Sequence, residues 1–428
     1  MVTDELSYLY GLAREGIKLD LSVMREFSGI LGNPEQKFRA FHVAGTNGKG
    51  STSAYIYNIL MKKYSSGLYT SPHLIKFNER ILMNRELIKD QEIEDFVAKN
   101  RSVMTSMAES NRNPTFFETT TMLAFTHFAD SGAQYASIEV GLGGRLDATN
   151  IVNPEVSIIT QIGYEHFDKL GCSLTSIAME KGGIIKPDVP VVLGDTKPEV
   201  VNTIRKLAEV RQSKFIHVPA NCEITDLSSD LAGTSFVLKT PKKEYKLKTS
   251  LIGNFQPRNA AAAVLALENS SADKIMKRDI ETGIKNTRWP GRMEIIRNDP
   301  KVMVDCAHNP PAANALKNSL SEYNFPNPLL VIGILSDKDS YSYLHAIRGI
   351  SDRVIFTSPN EPLRAIPPEK LASMSSGLFR ESAVINDPIE AYEKAISTSD
   401  LVLVTGSMYL VGAIMEHEGK AVMPFHND

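Results

Sequence analysis

Cysteine is scarce in this chain, and the little there is stands apart. Cys172, Cys222 and Cys306 are odd in number and include no CxxC pair. That excludes a disulfide framework and a cysteine-built metal site, and leaves reduced thiols in a cytoplasmic protein as the expectation. Long apolar runs are missing too. The longest, such as residues 329–335, are far too short to cross a bilayer. The first dozen residues mix acids with Tyr and Leu, so no signal peptide is expected. Neither sign of charge dominates: 47 Lys and Arg against 50 Asp and Glu leave a net charge of −3. With no global positive field, neither nucleic acid nor a membrane is an expected partner, and an anionic substrate must be gripped locally. Internal repeats and low-complexity segments are also absent.

What is present is an ordinary globular composition spread over 428 residues, enough for two or three domains. Short β-rich apolar runs alternate with helical patterns, which predicts a doubly wound α/β fold. Strands are expected at 38–44, 136–140, 156–161 and 189–194, with helices such as 51–63 and 198–211 between them. Residues 222–252 break the rhythm and read as hairpins, a small antiparallel addition. Pro257 then opens a helix where its missing N–H costs nothing, and the alanine-rich 260–267 continues it. At Trp289-Pro290-Gly291 the pattern stops. A second βα series follows, with strands expected at 302–305, 329–335, 353–357 and 401–405. The reading is a P-loop doubly wound N-terminal domain over 1–289 and a smaller Rossmann-like α/β domain over 290–428.

The strand ending at Ala44 runs into Gly45-Thr46-Asn47-Gly48-Lys49-Gly50-Ser51 and then into a helix. Phosphate binding needs this arrangement: glycines let backbone N–H groups turn inward, a helix N-terminus adds partial positive charge, and a lysine reaches the outer phosphates. The spacing is unusual, because Val43 stands where the first glycine of the common P-loop would be, and Gly50 separates Lys49 from Ser51. Glu139 ends a neighbouring strand, where a carboxylate can face Mg²⁺ bridging the outer phosphates.

His42-Val-Ala-Gly-Thr-Asn-Gly-Lys-Gly-Ser51 resembles the phosphate loop of the folate branch of the Mur ligase superfamily, the folylpolyglutamate and dihydrofolate synthases. Further segments match in order, among them Ser71-Pro-His-Leu74, Phe77-Asn-Glu-Arg80, Glu139-Val-Gly-Leu-Gly-Gly-Arg-Leu-Asp-Ala-Thr-Asn150, Glu180-Lys-Gly-Gly183, Pro290-Gly-Arg292, Asp305-Cys-Ala-His-Asn-Pro310 and Ser336-Asp-Lys-Asp339. The resemblance covers nearly the whole chain. It departs at Glu165, where Asp is commoner, at Gly182 in place of alanine, at Cys306 in place of glycine, and along 16–21, which follows the pterin-binding segment only loosely.

The resemblance implies an ATP-dependent ligase that phosphorylates a pteroate or folate carboxylate and then joins it to L-glutamate. It implies two Mg²⁺ sites, with Ser71, Glu139 and His166 as ligands; Ser51 is the rival hydroxyl, and the sequence leaves that choice open. Lys181 is expected to be carbamylated, and Lys49, Lys181, His166 and Asp147 are the expected catalytic residues. Asn259, Arg292 and Asp305 would hold the nucleotide, with His308 stacking on adenine or placing glutamate. Arg145, Leu146, Asp147 and Ala148 match the acyl-substrate segment, Phe117 would offer a ring face to the pterin, and Ser407 lies near the glutamate site. A monomer is expected. The alternatives are a Mur-type ligase for another carboxylate and a nucleotide sensor that ligates nothing.

Overall fold

The computed structural model describes residues 4–16, 20–165, 167–323, 325–361, 364–420 and 422–426. Its first large element is an eight-stranded sheet in the spatial order Glu86–Leu87, Ile81–Met83, Ser66–Tyr69, Tyr135–Glu139, Arg39–Ala44, Pro154–Ile159, Val191–Leu193, Phe215–His217. The last six run parallel, and the first two form an antiparallel edge. Nearly every residue of the central strands is buried, as a parallel sheet covered on both faces requires. Val43 lies opposite Glu139, and Ala44 opposite Ile159. The loops leaving these three strands therefore fan out around one crevice at their carboxyl ends, where open α/β sheets bind ligands.

The segment expected to form hairpins folds as an antiparallel sheet of Glu223–Asp230, Gly233–Lys239 and Glu244–Thr249. Its last strand, Glu-Tyr-Lys-Leu-Lys-Thr, alternates exposed and buried residues because only one face meets the core. The Gln256–Glu268 helix follows and packs beside Lys49–Leu60.

A second sheet, in the order Glu294–Asn298, Lys301–Asp305, Leu401–Thr405, Leu329–Ile332, Arg353–Phe356, Glu381–Val384, is parallel except for its first strand. Asp305 and Ile332 both pair with Thr405, so the loops after these strands also share one end. The run expected over 329–335 leaves the sheet at Gly333, where a Cβ would press within 2.9 Å of the Thr357 carbonyl. Six of the described strands are not expected from the sequence, each short or weak in hydrophobic signal: Ser66–Tyr69, Ile81–Met83, Glu86–Leu87, Phe215–His217, Glu294–Asn298 and the exposed Glu381–Val384. No helix among the described residues is long and apolar enough to cross a membrane.

Candidate active site

The phosphate loop closes over its own support. Gly45 has a φ of 145°, and a Cβ there would fall 1.8 Å from the Thr160 hydroxyl oxygen. Gly48 has a φ of 87°, and its Cβ would collide with the Asn259 amide at 2.7 Å. Side chains are thus barred by conformation and by space alike. Thr46 N–H donates to the Gln161 carbonyl at 2.8 Å, which ties the loop to the chain leaving the next strand. The Lys49–Leu60 helix starts two residues earlier than the sequence suggests, so the Lys49 amide belongs to its first turn. Lys49 Nζ is folded back onto the Gly45 and Thr46 carbonyls at 3.1 and 3.3 Å.

A cavity of 420 Å³ lies between this loop and the second sheet. The first unit contributes Thr46, Asn47, Gly48, Lys49, Gly50, Ser51, Ser71, Glu139 and Asn259; the second contributes Arg292, Asp305, His308 and Ser407. Residues hundreds of positions apart in the sequence thus face one volume. Burial pushes the Glu139 carboxyl up to about 7, while Lys49, Arg292 and the Ser71 N–H pull it back. Arg292 makes no hydrogen bond or ion pair with a described residue, which leaves its guanidinium for an anion in the cavity. Asp305 is buried and bridges two backbone N–H groups, Met293 at 3.0 Å and Ala307 at 2.8 Å, which fixes the linker against the strand end. His308 Nδ1–H donates to the Cys306 carbonyl at 2.8 Å, and burial lowers its pKa to about 4. Its ring is therefore neutral, with Nε2 left as an acceptor.

These residues fit a hard divalent cation. A buried carboxylate that shares the cavity lining with Ser71 and Ser51 offers, with their hydroxyls, the kind of oxygen donors that Mg²⁺ prefers. The described residues contain no cluster of three His, Cys, Asp or Glu side chains able to hold a metal, so the remaining ligands would come from nucleotide oxygens. His166 lies outside the described residues.

The Mur ligase middle domain family matches residues 43–267, and the Mur ligase glutamate ligase domain family matches 291–408. A dihydrofolate synthase/folylpolyglutamate synthase from Bacillus subtilis is 35% identical, with 96% of this chain and 97% of that protein aligned. The chain belongs to the Mur ligase family, in its folylpolyglutamate and dihydrofolate synthase branch. Among solved structures, the folylpolyglutamate synthase of Thermotoga maritima superposes with a TM-score of 0.86 at 34% identity, covering 97% of this chain and 96% of that one. An FPGS–AMPPCP–folate complex has a TM-score of 0.86 at 28% identity, covering 97% and 99%.

Several of the expected site residues do not line the cavity, among them Lys181, Asp147, Arg145, Leu146, Ala148 and Phe117. Lys181 is 2% exposed, which removes the reading of an ordinary surface lysine. Its Nζ donates to Glu165 Oε1 at 2.6 Å and to the Gly45 carbonyl at 2.9 Å. Burial lowers its pKa, and Glu165 opposes that shift. Asp147 is buried with its carboxylate engaged by Leu142 N–H at 2.8 Å, Thr149 N–H at 3.0 Å and the Thr149 hydroxyl at 2.5 Å. In this geometry it shapes the 141–147 turn, whose Gly141 and Leu142 do line the cavity. Arg145 is exposed and paired with Glu180 at 2.9 Å, Leu146 is half-buried, and Ala148 is buried at the start of a short 3₁₀ turn. The Phe117 ring packs under Gly141, where a Cβ would sit 2.4 Å from it.

Sequence reading gave no role to several residues of this site. Trp289 marked only a breaker, yet it lines the cavity and packs on Gly50. The signal was available in the extra glycine after Lys49: a Cβ at Gly50 would fall 2.4 Å from the Trp289 ring. His42 on the central strand is fully buried, with Nε2 2.8 Å from the Thr149 hydroxyl. Since that hydroxyl donates to Asp147, His42 Nε2–H is the donor. Lys338, in a matched motif without a named role, also lines the cavity and pairs with Asp337 at 3.1 Å.

Proposed function

We propose that this acid–amino-acid ligase adds L-glutamate to the carboxylate of a reduced pteroate or folate, with ATP consumed through an acyl phosphate. The observation that carries the reading is the shared cavity. A glycine-rich helix N-terminus with Lys49, the buried carboxylate of Glu139 and the unpaired guanidinium of Arg292 meet there with residues of a second unit. A free carboxylate resists amine attack because it is already anionic and has no leaving group. Transfer of the γ-phosphoryl group to its oxygen supplies one; attack by the glutamate amine then forms the amide, releases phosphate and gives up a proton. Lys49, the loop amides and Arg292 hold the phosphate charge, and His308 Nε2 accepts a hydrogen bond from the incoming amine. Two units closing on the acyl phosphate exclude the water that would hydrolyse it.

Mg²⁺ would be held by Glu139 and Ser71 or Ser51, with a second ion at His166, and would neutralise the transferred phosphate. Lys181 is proposed to carry a carbamate: its depressed pKa favours the neutral amine that adds CO₂, and the product would exchange the Glu165 pairing for a cation. Asp147, His42 and Thr149 would act through the turn they hold, on which Arg145, Leu146 and Ala148 present the acyl substrate with Phe117 beneath. Asn259 and Asp305 would place the nucleotide, and Ser407 the glutamate. The unit boundary is proposed at Trp289-Pro290, supported by family matches that end at 267 and resume at 291. One chain supplies both walls, so a monomer is sufficient; a cytoplasmic location is part of the same proposal. The test is phosphate release from ATP, which should be weak with either organic substrate alone and strong only with both. Equal release without glutamate would refute the ligase reading.

A further inference from the structure

Residues 422–426 leave the second unit and return to the first. Pro424 C=O accepts hydrogen bonds from Asn58 Nδ2 at 2.9 Å and Arg288 N–H at 3.1 Å. His426 N–H donates to the Asn286 carbonyl at 3.0 Å, and Phe425 bridges to Thr287. Phe425 is 4% exposed and packs with Tyr57, Leu68 and Leu82 of the first unit, while the Arg85 guanidinium stands 5.0 Å over its ring. Trp289 rests on the same cluster. Asn58 and Tyr57 belong to the helix that begins at Lys49, so the segment is tied to the phosphate-loop helix itself. Val422 and Pro424 also line the cavity, beside Trp289 and Leu82.

We propose that residues 422–426 form a strap that walls one end of the nucleotide cavity, and that Phe425 is a positioning residue that seats Trp289 against Gly50. Three features point the same way. The strap's polar contacts reach the phosphate-loop helix at Asn58, the stretch before the linker at Asn286 and Arg288, and Ser250, all on the first unit. Its apolar anchor fills a cluster that includes the edge of the first sheet. Gly50 carries no side chain at the point where the Trp289 ring lies. Anchoring the strap pre-organises the wall before nucleotide arrives, and pre-organisation acts on affinity more than on the chemical step.

The inference rests on the proposed nucleotide use of the cavity, and its test reads binding separately from ligation. Trp289 is the chain's one tryptophan, so its fluorescence in the full chain reports titration with ADP. ADP is expected to change that emission. Phe425→Ala should weaken ADP binding by about tenfold, and Phe425→Leu, which refills the pocket, should restore it to within about twofold of wild type. The KM for ATP should rise with it, while kcat at saturating ATP and the KM for the acyl acid stay near wild type. Ile347→Ala, in the buried core of the second unit, serves as a destabilised control whose ADP affinity should not change. An unaltered ADP affinity in Phe425→Ala, an equal loss in Ile347→Ala, or a silent Trp289 would each overturn the strap. Should wild type bind ADP through Trp289 yet form no glutamyl product, the strap survives and the ligase reading fails.

Discussion

Glu139→Gln should make the metal-free protein more stable and the enzyme inactive. Burial raises the folded-state pKa of Glu139 from 4.5 to about 7. A carboxyl whose folded pKa is raised holds its proton longer in the folded state. Its favourable contribution is complete below its ordinary pKa and is lost as pH rises through the folded value. At about 1.4 kcal/mol per pKa unit, ionising Glu139 above pH ~7 costs the apo fold on the order of 3 kcal/mol. Glutamine has the same shape and no charge to bury, and it can still accept the Ser71 N–H. In EDTA at pH 8, the variant should therefore melt about 6 °C above wild type, at about 2 °C per kcal/mol for a domain of this size. The gap should close as pH is lowered through the window from 7 to 4.5. Scanning calorimetry across that window, paired with a turnover assay, measures both halves. A variant no more stable than wild type at pH 8 would refute the reasoning, and so would one that keeps its activity.

Lys49→Ala should lower turnover by about 100- to 1000-fold with little change in melting temperature, since among the described residues its Nζ hydrogen-bonds to two loop carbonyls and packs into no core; near-normal activity would remove it from the proposed phosphate grip. Lys181→Ala should lose activity and regain part of it with added acetate, and CO₂-dependent labelling of Lys181 in wild type should be seen by mass spectrometry; an unmodified lysine in active enzyme would count against the carbamate. Gly50→Ala should displace the Trp289 ring, shift its emission and weaken ADP binding, because a Cβ there has 2.4 Å to the ring; an unchanged spectrum would contradict that packing.

Much of the fold was legible because its central strands are short, largely apolar runs buried on both faces, as at Arg39–Ala44 and Leu401–Thr405. Ser66–Tyr69 escaped because a strand reading Ser-Gly-Leu-Tyr owes its place to neighbours, not to its own propensity. Glu381–Val384 escaped because it is an exposed edge with nothing apolar to bury. In the site, the phosphate loop was read from its glycines with Lys49 and Ser51 set between a strand and a helix, and most other site residues were expected only through the resemblance. The roles of His42 and the 422–426 segment were not readable, and that of Trp289 left only an indirect trace in the extra glycine at Gly50. Each acts by packing or hydrogen bonding across more than a hundred residues of sequence, which no local pattern encodes.

On the proposed function, one cavity joins an ATP-activated pterin acid to glutamate. Purified chain should be incubated with ATP, Mg²⁺, L-glutamate and, in separate reactions, dihydropteroate and tetrahydrofolate, and the products weighed by mass spectrometry. At least one acid should gain a glutamyl residue, with ADP and phosphate formed in step. If neither acid gains glutamate while a cell-wall precursor gains an amino acid, the folate reading is wrong and another Mur-type carboxylate is the substrate.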